Sequence, residues 1–117
     1  MIRNKKAGTK VKPQAKEIAE VKEKLKILFT ASEAVPFVKT GGLGDVCGAL
    51  PKVLKKLGHD VRLVIPRYWA VDRYAYNLKT VLAPMGVEMG GKTLWCEVLQ
   101  GKADGFTVYF VEHEHYF

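Results

Sequence analysis

Two short strand-like runs, Ile27-Leu28-Phe29-Thr30-Ala31 and Asp60-Val61-Arg62-Leu63-Val64-Ile65-Pro66, lie on either side of a helical pattern. That order constrains the chain more than any other feature. Each run has the length and β-branched content of a buried strand. Between them, Leu43–Leu57 reads as a helix, with Val46, Leu50, Val53, Leu54 and Leu57 as one apolar stripe flanked by Lys52, Lys55 and Lys56. Pro51 is expected to kink that helix or divide it, and Gly58 to stop it. Strand, helix and strand make a βαβ unit with a right-handed crossover. The fold class is therefore α/β, a Rossmann-like start.

Downstream the pattern changes. Thr80–Met85, Thr93–Leu99 and Phe106–Val111 read as strands, separated at Gly90-Gly91 and at Gly101–Gly105 as hairpin turns. Phe106–Val111 is the candidate third parallel strand. The sheet is expected to be incomplete, so its faces and edge should seek a partner.

Composition bounds the remaining possibilities. The chain has 117 residues, room for one domain, and 48% hydrophobic content, ordinary for a globular protein. Two cysteines exclude a disulfide-dense scaffold and a four-thiolate zinc site, and Cys47 and Cys96 read as buried small hydrophobes. The net charge of +7 is unevenly placed. Residues 1–26 carry nine Lys/Arg against three Glu, and the remainder is within one charge of neutral. A nucleic-acid footprint on the body thereby loses support. Residues 1–25 read as a basic leader with a weak amphipathic helix over Gln14–Leu25, either a solvated tail or a docking or nucleic-acid arm. With no signal-peptide pattern and no apolar run near the ~20 residues of a bilayer span, a cytoplasmic location and no membrane contact are expected.

Three glycine motifs compete. Gly42-Leu43-Gly44-Asp45-Val46-Cys47-Gly48 resembles a dinucleotide fingerprint, but Ser32–Gly41 intervenes between it and the strand, and the second strand ends in Pro66-Arg67 instead of an acidic residue. Gly86–Thr93 fits the P-loop expression, yet the alternating residues after it suit a hairpin better than a helix. Lys39-Thr40-Gly41-Gly42-Leu43 combines a lysine, two glycines and a helix start, a set suited to a diphosphate. The same glycines could equally serve the turn into the helix.

The segment Ser32-Glu33-Ala34-Val35-Pro36-Phe37-Val38-Lys39-Thr40-Gly41-Gly42-Leu43-Gly44-Asp45-Val46 resembles the N-terminal signature of bacterial glycogen synthases and plant starch synthases. The resemblance continues through Gly48–Lys52, Leu57-Gly58-His59 and Val61–Tyr68, and more loosely to Val108-Tyr109-Phe110 and His115-Tyr116-Phe117. It runs from Lys26 to Phe117. It implies the start of a GT-B N-terminal domain with an added β-hairpin region, in a retaining glucosyltransferase. Such an enzyme moves glucose from ADP-glucose to the 4-OH end of an α-1,4-glucan, with no cofactor and no metal.

Residue by residue, the resemblance makes Lys39 the donor-contacting lysine. Gly41 and Gly42 become backbone donors or room for the phosphates. Glu33 becomes an acidic residue near the glucosyl site, with catalysis and a loop carboxylate bonded to nearby amides as its two readings. Asp45 is read as structural, favouring the helix dipole, and His113 and His115, flanking Glu114, as ordinary strand-end alternation. Gly44 stands where many relatives carry alanine. Family enzymes are several times longer, so this stretch alone is expected to be inactive without a complementary chain. The alternative is a non-catalytic fragment that binds glucan or protein.

Overall fold

A computed structural model describes residues 23–117. The leader expected over residues 1–25 lies almost wholly outside the described residues. Of its expected helix, residues 23–25 are described and are not helical. The described chain runs β1 (Lys26–Thr30), α1 (Gly42–Lys56), β2 (Asp60–Pro66), β3 (Lys79–Met89), β4 (Lys92–Ala103) and β5 (Phe106–Glu112).

The five strands form one open sheet in the order β1-β2-β5-β4-β3. β1, β2 and β5 are parallel, with Leu63 beside Val108 and Ile65 beside Phe110. β5, β4 and β3 are antiparallel. The expected βαβ unit and the third parallel strand are both present. No helix among the described residues is long and apolar enough to cross a membrane.

Side chains alternate across the sheet, as strand geometry requires. Val61, Leu63, Ile65, Val108, Phe110 and Leu99 are buried on one face. Phe37, Val71 and Leu78 from the loops join them, with Phe37 edge-on to Phe110 at 4.9 Å between ring centroids. The opposite face carries Leu28, 63% exposed, and Arg62, which reaches the Tyr109 hydroxyl.

The helix differs from its sequence reading in two ways. Pro51 does not divide it: α1 runs unbroken from Gly42 to Lys56, and the Pro51 ring is fully buried. The buried positions are Gly44, Cys47, Gly48 and Pro51. Small side chains and one ring let the helix lie close to the loop and sheet. The apolar stripe accordingly turns outward, with Leu43, Val46, Leu50, Val53 and Leu57 all more than a third exposed. Hydrophobic periodicity identifies a helix's apolar face but cannot tell which partner that face meets.

The strands after β2 are longer than expected. Gly90 and Gly91 have φ of 58° and 76° and close the β3–β4 hairpin, so Gly86–Thr93 is strand and turn. The second turn is Asp104-Gly105, with φ of 49° and 81°. Gly101, expected in that turn, instead lies buried inside β4, where a Cβ would come within 2.5 Å of Leu78 Cδ2. Pro84 sits where the β3 register shifts between Leu82 and Met85, as a residue without an N–H must. β4 meets β5 only from Glu97 onward, so the hairpin tip continues past the sheet as a two-stranded arm.

Close packing of α1 is testable at Gly48. A Cβ there would come within 2.3 Å of Val35 Cγ2 and 2.8 Å of the Val35 carbonyl oxygen. Gly48→Ala should therefore destabilise the chain by about 1–3 kcal/mol, although the exchange usually favours a helix. A lowered urea midpoint would show it.

Candidate functional site

The parallel strands β1 and β2 both end at the side of the sheet where the sequence places its candidate residues. The connection from β1 to α1 folds back on itself. Phe37 and Val38 amides both donate to the Ala34 carbonyl, and the Val35 amide donates to Gly44 O at 3.0 Å. The loop is thus anchored to the first turn of the helix.

Glu33 completes that anchor from the other side. It is buried, at 6% exposure. One carboxylate oxygen accepts the Gly44 amide at 2.8 Å. The other accepts the Thr40 amide at 2.8 Å and the Thr40 hydroxyl. The helix has no side-chain cap at its own N-cap residue, Gly41. Glu33 fills this role from eight residues upstream, satisfying an otherwise orphan amide at the positive end of the helix. Its carboxyl is held below the usual range, first by the Thr40 hydroxyl and then by the Thr40 amide. Burial opposes this, and the Gly44 and Gly41 amides add to it. Both Glu33 oxygens are thus engaged by the loop and the first turn of α1.

Lys39 and the glycines lie around this anchor. Lys39 Nζ is 2.8 Å from Asp45, with both side chains about half exposed. Such an exposed pair is worth at most about 1 kcal/mol, so the ammonium is readily released to a stronger anion. The stem of Lys39 rests on Gly44, where a Cβ would meet Lys39 Cγ at 3.1 Å. A Cβ at Gly41 or Gly42 would meet nothing within 4 Å. Gly41 is extended, at φ −164° and ψ −160°, a conformation open to any residue. Neither turn geometry nor internal packing demands glycine at these two positions.

The neighbouring strand ends are tied to the same region by groups the sequence did not single out. The Tyr68 hydroxyl donates to Ser32 O at 2.8 Å, joining the end of β2 to the start of the loop. Arg67 pairs with Glu112 at the end of β5. Only the spacing of Arg67 and Tyr68 directly after a strand could have signalled these links. His113 stacks on Tyr116 at 4.5 Å, and its Nδ1 accepts the His115 amide. Cys47 is buried, and burial together with the Glu33 charge raises its thiol above the ordinary value. Cys96 is half-buried and unpaired.

The depressed Glu33 carboxyl has a definite sign in stability. A carboxyl with a lower pKa folded than unfolded stabilises the fold above its unfolded value and loses that contribution as pH falls through the folded one. Wild type should therefore lose thermal stability on acidification through the carboxylate range more steeply than Glu33→Gln. Tm measured as a function of pH checks this, and parallel curves would contradict it.

Residues 26–117 match the family described as the starch synthase catalytic domain. Glycogen synthase 1 of Geobacter metallireducens is 52% identical over 101 residues, covering 81% of this chain and 20% of that protein. The glycogen synthase of Anoxybacillus flavithermus is 47% identical over 93 residues, covering 80% and 19%. Among solved structures, the catalytic domain of starch synthase IV from Arabidopsis thaliana, bound to ADP and acarbose, superposes with a TM-score of 0.72 at 30% identity. That match covers 80% of this chain and 19% of the other. The chain thus spans about a fifth of the length of these relatives. On family match and identity together, the chain belongs to the starch synthase catalytic-domain family, the glycosyltransferases that include the glycogen synthases.

Proposed function

We propose that this chain is the N-terminal part of a retaining glucosyltransferase that moves glucose from ADP-glucose to the 4-OH end of an α-1,4-glucan. The observation that carries the reading is the pair Gly41-Gly42. Their glycine character serves no need of the fold itself, and open space lies where their side chains would be. A ligand approaching the backbone closely is a physical reason for glycine there. The adjacent helix start and Lys39 favour an anion, and a diphosphate suits all three. The ADP and acarbose bound to the Arabidopsis relative support a nucleotide donor and a glucan acceptor.

In this reading Lys39 leaves Asp45 for the diphosphate and stabilises the negative charge that grows on it as the glucosyl bond breaks. Gly41 and Gly42 let the phosphates reach the backbone at the helix start. Glu33 is a positioning residue, because both of its oxygens are engaged in holding that loop. The acceptor 4-OH oxygen forms the new bond to the anomeric carbon. The bond from that carbon to the diphosphate oxygen breaks, and the 4-OH proton is taken up by the departing ADP. The outward stripe of α1 and the open face around Leu28 favour a complementary chain that supplies the rest of the fold.

The test is reconstitution. The chain is mixed with the remaining C-terminal part of the Geobacter metallireducens relative, and transfer from ADP-glucose and from UDP-glucose to glycogen is measured. Transfer from ADP-glucose is expected, and Lys39→Ala should lower it by roughly 100-fold. Association without transfer from either donor would favour the non-catalytic binding fragment.

A second result separates ligand from fold. Gly42→Ala should keep or raise stability, by up to about 1 kcal/mol, yet weaken ADP-glucose use in the reconstituted enzyme. Undiminished transfer by this variant would remove the argument from the glycines.

A further inference from the structure

The last turns of α1 face the β4–β5 turn across a concavity of about 470 Å³, lined by Lys52, Lys55, Lys56, Asp104, Gly105 and Phe106. The i, i+3, i+4 spacing of the three lysines puts them on one face of the helix. The opposing wall is fixed. Ala103 pairs with Phe106 across the turn, Asp104 and Gly105 hold φ of 49° and 81°, and Phe106 is buried. Gly42 lies at the other end of α1, about 20 Å away along the helix axis at ~1.5 Å per residue. The concavity is therefore separate from Lys39, Gly41 and Gly42.

The charges around this concavity do not balance. Asp104 is its one carboxylate, and Lys52 takes it. Lys55 Nζ donates to Gly105 O at 2.6 Å, an acceptor without net charge. Among the described residues Lys56 makes no ion pair. Three ammonium groups thus stand against one carboxylate. Helix capping does not use up the excess, because the carbonyls of Val53, Leu54 and Lys55 already accept the Leu57, His59 and Gly58 amides. The helix dipole favours cations at this end. Like charges at this spacing still repel one another, and a bound anion would relieve that repulsion.

Two uncompensated positive charges match one phosphate monoester, which carries about −1.5 to −2 near pH 7. A carboxylate or a phosphodiester brings a single negative charge and leaves the other cation unmatched. Lysine ammonium groups are compact charges on flexible stems, able to close on a phosphate from one side. The volume lies within the ~300–1,000 Å³ typical of small-molecule sites, so an organic body fits beside the phosphate. We propose that the concavity between α1 and the β4–β5 turn binds a small phosphate monoester. Lys55 and Lys56 hold its phosphate, and its body rests on the lysine stems and the turn. This site goes beyond the transferase reading and does not depend on it.

The test is an NMR titration of the isotope-labelled full chain at low salt, with phenyl phosphate as the probe. Phenyl phosphate should shift the Lys56, Gly105 and Phe106 amides saturably, and phenol should not. Inorganic phosphate should move the same amides but bind about threefold or more weakly, which separates an organic phosphate from the free anion. Lys55→Ala and Lys56→Ala should each weaken phenyl phosphate binding about three- to fivefold. Lys39→Ala should leave it unchanged. Lys56 is exposed, so the circular dichroism of Lys56→Ala should match that of the unaltered chain. Absence of a saturable shift at Gly105 and Phe106 would overturn the proposal. So would undiminished binding by Lys56→Ala, or inorganic phosphate bound as tightly as its phenyl ester. Loss of the shifts in Lys39→Ala would also overturn it, by placing the ligand at the other end of the helix.

Discussion

One buried carboxylate organises the candidate site. Glu33 links the end of β1, the turn at Thr40 and the first turn of α1 through hydrogen bonds to its two oxygens. An ionised group at 6% exposure is tolerable because each oxygen meets a donor and the helix dipole adds to their effect. Without it, the Gly44 amide would lose its partner. Lys39, Gly41 and Gly42 all lie on the stretch it fixes, so their placement follows from this local balance of charge against amide dipoles.

Much of the architecture could be read from local chemistry. The strands flanking α1 announced themselves by apolar runs, and the hairpin turn by Gly90-Gly91, whose positive φ values glycine adopts freely. The misreadings share one cause, because each depended on a distant neighbour. Gly101 resembles a turn residue until Leu78 is seen to occupy the space beside it. The buried face of α1 is built from Gly44, Cys47, Gly48 and Pro51, which carry little hydrophobic weight in a periodicity count. Sequence offers Glu33 as a loop carboxylate bonded to nearby amides but cannot name those amides, because they lie seven and eleven residues away, beyond the reach of capping patterns. Lys39, Gly41 and Gly42 were marked by their residue types, but the open space beside the glycines could be seen only in three dimensions.

The exposed surfaces of this stretch form a consistent set. The parallel strands carry α1 on one face and leave Leu28 uncovered on the other, whereas parallel sheets are normally covered on both. The stripe of α1 points away from the sheet it connects. The candidate donor residues occupy one rim. The chain spans about a fifth of the length of these relatives, and its own core is closed while the α1 stripe and Leu28 stay exposed.

The arm formed by the tips of β3 and β4 has a dynamic consequence. Beyond Glu97 the ribbon has no third strand, and most of β3 is exposed. An isolated two-stranded ribbon is marginal in water. The arm therefore opens as a separate cooperative unit, at a free energy well below that of global unfolding. Its amides exchange with solvent through that opening, while those of Leu63, Val108 and Phe110 wait for the sheet itself to come apart. Length changes at the Gly90-Gly91 tip are correspondingly cheap, since they alter a segment whose unfolding leaves the loop anchored by Glu33 standing.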